Sequence, residues 1–189
     1  MTVLRQNLLQ GRAIALSGEV PDRIAEALAS LGARIEPIDG DARLGEDEER
    51  VGDWARARAP LDAVVHDAGG AFDGGGDQAL RVALEDAWVV VREVAAGALI
   101  PGDGGGKVLL IAPRPDVGAF AEAACAALEN LARTLSVEWA RYGVTAAMIA
   151  PGSTTTDEQL AELVSFLVSK AGAYVSGCRL ELGVVPGSA

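Results

Sequence analysis

A chain of 189 residues, 50% of them apolar, is long enough to bury one real core and too short for two comfortable domains, so one domain over residues 1–189 is expected. The formal net charge of −11 argues against nucleic acid or an anionic membrane surface as partner, since either would be repelled. The opening segment MTVLRQNLLQ has no clean apolar stretch of the secretory kind, and the run from Trp88 to Ile100 is broken by Arg92 and Glu93 before it could span a bilayer. Cys125 and Cys178 have neither CxxC spacing nor a neighbouring His, and two isolated thiols fit a reducing cytoplasm, which is the expected location.

Short β-rich runs recur at Ala13–Ser17, Ala33–Ile38, Ala63–Val65, Lys107–Ala112, Val144–Ile149 and Arg179–Val184, with longer segments of helical spacing between them. Strands apolar on both sides that alternate with helices predict a parallel sheet covered on both faces, a doubly wound three-layer α/β fold. In the first helix Pro21 suits the start, Ile24, Ala27, Leu28 and Leu31 form the buried stripe, and Gly32 ends it. A second helix is expected over Asp47 to Arg58. The last long helix opens with Thr155-x-x-Glu158, the pattern of a capping box, and should bury Leu160, Leu163 and Leu167.

Two helices carry more apolar surface than one sheet can cover. From Asp77 to Leu99, at about 100° per residue, Arg81, Glu85, Asp86, Arg92 and Glu93 take roughly 140° of the circumference. The rest of that helix is apolar, whereas a sheet needs a stripe of only about 100°. From Phe120 to Trp139, Leu128, Leu131, Leu135 and Trp139 give a similar excess, beside a run of alanines smooth enough for close helix approach. Subunit contact is the expected use, with Trp88, Val91, Leu128, Leu135 and Trp139 as interface candidates.

The acidic run Asp39–Asp53 is dispersed over a loop and a helix face, and reads as solvated surface rather than a metal site. His66, the sole His, stands beside Asp67 at the end of a strand, with Ser153 to Thr156 expected at the same sheet edge. A hydrolase could be imagined there. However, adjacent strand residues point to opposite faces, so His66 is expected to pack against the neighbouring strand and Asp67 to cap a turn.

Five segments in order resemble the short-chain dehydrogenase/reductase family, especially its ketoacyl-reductase-like members. Residues 11–18 (GRAIALSG) and 23–29 (RIAEALA) resemble its first strand and helix. Residues 61–69 (LDAVVHDAG) are similar to the strand that ends in its Asn-Asn-Ala-Gly motif. Residues 126–135 (AALENLARTL) resemble its central interface helix. Residues 142–152 (YGVTAAMIAPG) resemble the sixth strand and Pro-Gly turn, and residues 173–177 (AYVSG) the approach to the last strand. The resemblance implies a Rossmann-like domain, trimmed to about six strands because one helix alone fits between Ile35 and Leu61.

The departures from that pattern decide the functional expectation. A diphosphate cradle needs glycines, because backbone must approach the phosphates closely and turn with positive φ. Here Ser17 and Gly18 are followed by Glu19, Val20, Pro21 and Asp22, which leaves the first glycine alone, puts carboxylates at the cradle and removes an N–H. Asp39 could stand for the family's ribose-binding acid. The family's Tyr and Lys fall on Ala121 and Cys125, its Ser on Ala112 or Pro113, and its Asn on Ala83. None of these can serve the family's proton transfer, and the lid over the substrate is missing between Pro151-Gly152 and the last helix.

The expectation is therefore a pseudoenzyme of this fold without a cofactor of its own. It would be a structural or regulatory subunit that assembles with itself or with a catalytic relative holding the NAD(P). The alternatives are a residual oxidoreductase and a small-ligand module using the shortened crevice.

Overall fold

The computed structural model describes residues 5–38, 48–72, 76–101 and 105–183. The chain alternates strands and helices: β1 (Ala13–Gly18), α1 (Asp22–Ser30), β2 (Arg34–Pro37), α2 (Glu48–Arg58), β3 (Ala63–Asp67), α3 (Gly76–Val94), β4 (Gly106–Ile111), α4 (Ala121–Glu138), β5 (Val144–Pro151), α5 (Asp157–Val168) and β6 (Cys178–Leu182). The strands form one parallel sheet in the order β2-β1-β3-β4-β5-β6. The order turns back on itself at β1, so a crevice opens between the carboxyl ends of β1 and β3, the place where such sheets hold ligands.

Side-chain alternation sorts the sheet into two cores. Ile14, Leu16, Val65, Leu109, Ile111 and Ile149 face α1 and α5, while Ala15, Val64, Val108, Leu110 and Met148 face α2, α3 and α4. Central strands buried on both sides explain the unbroken apolar runs in the sequence. β2 is half-exposed at the edge and accommodates Pro37, which an interior strand would not.

Three expectations shift once the layers are seen. The apolar arc of α3 meets neighbours within its own layer: Val51 and Ala55 of α2 on one side, and Ala124 and Leu128 of α4 on the other, belong to one buried cluster with it. Val91 and Leu128 are 0% exposed and Leu135 2%, so these three interface candidates are core side chains of the single chain. Of the five, Trp88 (41% exposed) and the half-buried Trp139 reach the surface. The excess was real, but three helices share one face of the sheet, and flanking helices need apolar cover just as a partner would.

The cap of α5 also moves by one residue. Thr156 is the N-cap, with a reciprocal bond to Gln159, and Thr155 instead holds Gly152 N and Leu182 O. The last strand ends at Leu182; Val184 lies outside the described residues, as do Asp39, Asp41, Glu46 and Asp47 of the acidic run. Finally, α3 does not stay α-helical to Leu99. Residues Ala95–Leu99 form a π turn in which Gly97 lies against Gly52 and Ala55. A Cβ at Gly97 would stand 3.0 Å from Ala55 Cβ, so α2 and this turn approach as closely as they do because the residue is glycine.

Candidate functional site

Two clefts open on the carboxyl edge of the sheet. The first, of about 190 Å³, lies over the ends of β1, β3 and β4 and is lined by Glu19, Asp67, Gly70, Ala112 and Arg114 among others. Gly18 makes this edge possible. Its φ is +80°, and a Cβ there would lie 1.9 Å from the Asp67 carbonyl oxygen, so the β1 turn rests directly on the β3 backbone. Ser17 is buried with its Oγ 3.2 Å from His66 Nδ1, and His66 is 3% exposed, packed between strands. Asp67 accepts a hydrogen bond from Gly69 N at 2.7 Å, the turn cap expected from sequence. The His66 ring nitrogen Nδ1 thus faces Ser17, and the Asp67 carboxylate caps its own turn.

Burial pushes the Asp67 carboxyl up to about 7, and the Gly69 bond and the Arg114 charge only partly oppose it. Arg114 is a residue that sequence reasoning missed. Its guanidinium donates to Gly152 O (3.1 Å) and Thr155 O (2.6 Å) and pairs with Asp157, tying the turn after β4 to the turn after β5. Its position between two prolines, Pro113 and Pro115, just past a strand end was the available signal.

The second cleft, of about 370 Å³, lies between α4 and the ends of β4, β5 and β6. Ala121 and Cys125 line it with Pro113, Pro151, Gly152 and Arg179. Three of the positions aligned with the family's catalytic residues thus converge: Ala121 and Cys125 on α4, and the residues just past β4. Ala83 is 1% exposed within the core under α3, and Ala112 is likewise buried at 1%. Burial pushes the Cys125 thiol up, away from the thiolate that would make it a nucleophile. Charge sits at the rim, where Arg179 bonds Glu181 (2.8 Å) and Glu129 (3.5 Å). Among the described residues no group of His, Cys, Asp and Glu could hold a metal ion, and no helix is long and apolar enough to cross a membrane.

The parallel six-stranded sheet with a crevice at its reversal point defines the class of nucleotide-type α/β domains. Comparison with solved structures narrows this. A citronellol catabolism dehydrogenase of Pseudomonas aeruginosa PAO1 superposes with a TM-score of 0.76 at 22% identity, covering 96% of this chain and 97% of that one. A hydroxysteroid dehydrogenase from Escherichia coli gives 0.75 at 21% identity, covering 94% and 98%. A short-chain dehydrogenase/reductase from Serratia marcescens gives 0.72 at 19% identity, covering 92% and 97%. Neither a protein-family model nor a curated protein matches the sequence. The chain has the short-chain dehydrogenase/reductase fold.

This likeness corrects one expectation. Several of the matching structures are dehydrogenases or reductases, a class that normally binds NAD(P), and this overturns the expectation of a chain without a cofactor. The residues of the first cleft are nonetheless a poor fit to a diphosphate in the usual cradle. The Glu19 side chain lies across Gly70, where an added Cβ would meet its Cγ at 2.4 Å, and it occupies the space between the two turns. The N-terminus of α1 is flanked by Pro21, which offers no N–H, and opens on Asp22.

Proposed function

We propose that this chain is a non-catalytic protein of the short-chain dehydrogenase/reductase fold, a pseudoenzyme that works as a structural or regulatory subunit by associating with itself or with a catalytic NAD(P)-dependent relative. The observation that carries the reading is the second cleft. It is lined at the positions that match the family's Tyr, Lys and Ser by Ala121, Cys125 and Pro113, which cannot supply that family's proton transfer. Glu122 and Glu181 also line the cleft, but neither stands at a position that matches the family's acid–base set, and this supports a role in binding rather than turnover of the family's kind.

Association is supported by large apolar side chains that the chain leaves in solvent. Trp88 on α3 is 41% exposed, Val137 near the end of α4 is 75%, and Tyr174 before β6 is 95%. β6 adds an open strand edge, with Arg179 and Glu181 exposed along it. The test is the mass of the purified chain by size-exclusion chromatography with light scattering at tens of micromolar, alone and mixed with full-length reductases of this fold from the same cells. A dimer or a mixed assembly is expected, and Trp88→Glu or Val137→Glu should return it to monomer. A monomer that binds no such reductase would end the subunit reading.

A further inference from the structure

The amino end of the sheet, opposite both clefts, holds a cavity of about 380 Å³ that the proposed function does not use. Lys107, at the start of β4, lines it together with Ser169 and Ala173 from the segment after α5, and with Arg12, Asp62 and Thr145. The chain has two lysines; Lys170 is exposed, whereas Lys107 is 5% exposed. A buried ammonium is ordinarily matched by a carboxylate. Among the described residues none pairs with Lys107. Its Nζ donates instead to two backbone carbonyls, Gly172 O at 3.1 Å and Val175 O at 2.5 Å.

Two acceptors suit a neutral amine, which has two N–H groups and a lone pair left over. Burial favours that form and lowers the Lys107 pKa to about 8; the Cys178 thiol is the titratable neighbour opposing the shift, and the Arg12–Asp62 ion pair, at 3.0 Å, lines the same cavity. The amine is thus about half unprotonated at pH 8, where an ordinary lysine is almost wholly charged, and it is fixed in direction and set in the wall of a space large enough for a small molecule.

We propose that Lys107 and this cavity form a carbonyl-trapping site, in which a small aldehyde condenses with the Lys107 amine to an imine. The nitrogen lone pair attacks the carbonyl carbon, the C–N bond forms, and the carbonyl π pair moves to oxygen. Both amine protons pass to that oxygen, the C–O bond breaks, and water leaves. No oxidant or reductant is consumed. Imine formation removes both N–H groups, so the carbonyls of Gly172 and Val175 lose their donor and the segment leading into β6 is released from β4.

The test uses the full chain with glycolaldehyde and cyanoborohydride at pH 8, followed by peptide mass spectrometry. At that pH a group with a pKa near 8 is about half neutral, against well under 1% for an ordinary lysine. Labelling of Lys107 should therefore outpace that of Lys170 on the order of tenfold or more, after allowance for burial. Its rate should saturate with aldehyde concentration, as binding before bond formation requires, while Lys170 responds linearly. Ala173→Trp, at an exposed lining position, should abolish the saturable labelling and leave Lys170 unchanged. A Lys107 that stays unlabelled, labels linearly, or labels equally in the Ala173→Trp chain would overturn the proposal and leave the amine as a structural clamp. None of these results depends on the oligomeric state.

Discussion

The layered interior and the carboxyl edge of this molecule differ in what their side chains do. Inside, the central strands β1, β3, β4 and β5 have apolar contacts on both faces, and α2, α3 and α4 share one side of the sheet. At the edge, the clefts are lined by Glu19, Ala112, Ala121 and Cys125, the positions that on the proposed reading match the family's phosphate-binding and proton-transfer residues. Packing tolerates little change, because each lost methylene leaves a cavity. On the proposed reading, an edge without catalysis has no such restraint.

The comparison breaks most visibly in the core. Leu128→Ala removes a fully buried side chain from the cluster joining α3 and α4 to the sheet, and should cost about 2–5 kcal/mol in denaturant unfolding. A much smaller loss would mean that Leu128 faces a partner rather than the core. Gly18→Ala comes next, because its Cβ would collide with the Asp67 carbonyl and its φ is positive. A loss of about 1–3 kcal/mol in thermal melts is expected.

Asp67 sharpens the electrostatic side. The folded chain holds its carboxyl proton to about pH 7, and the unfolded chain only to about 3.8. The associated stability is present below 3.8 and is lost as pH rises towards 7, since the folded state binds the extra proton within that window. Asp67→Asn keeps an oxygen for Gly69 N and should flatten this part of the profile. It should also gain on the order of 1 kcal/mol above pH 7. A wild-type stability that rises between pH 4 and 7, and a variant that copies it, would contradict the burial argument. The smallest effect on folding belongs to Trp88→Glu, within about 0.5 kcal/mol, because the ring is already 41% exposed. Its consequence should show in assembly mass alone.

Much of this fold was legible in the sequence. Apolar runs bounded by helical segments marked all six strands to within one or two residues, and Pro21 and Gly32 bracketed α1, with Gly32 at φ +96°. What could not be read was tertiary. The breadth of apolar cover on α3 and α4 does not say whether a neighbour belongs to the same chain, so Val91, Leu128 and Leu135 were assigned to a surface they do not reach. Thr155 and Thr156 both precede a helix with an amide or acid three residues on, and only the geometry chooses Thr156. Arg114 and Lys107 bond backbone carbonyls far along the chain, and such acceptors carry no sequence signature.

The central claim of the proposed reading is that the second cleft holds Ala121, Cys125 and Pro113 where the family's proton-transfer residues would stand, and the direct measurement is turnover. The purified chain is assayed with NADPH and with NADH against a panel of ketoacyl, cyclic and aliphatic ketones, beside Cys125→Ala and the double variant Ala121→Tyr with Cys125→Lys. The account predicts no reduction by any of the three, because the double variant restores two side chains and leaves Ala83, Ala112, the Glu19 turn and the missing lid unchanged. Turnover by the unmodified chain that disappears in Cys125→Ala, or turnover gained by the double variant, would contradict it.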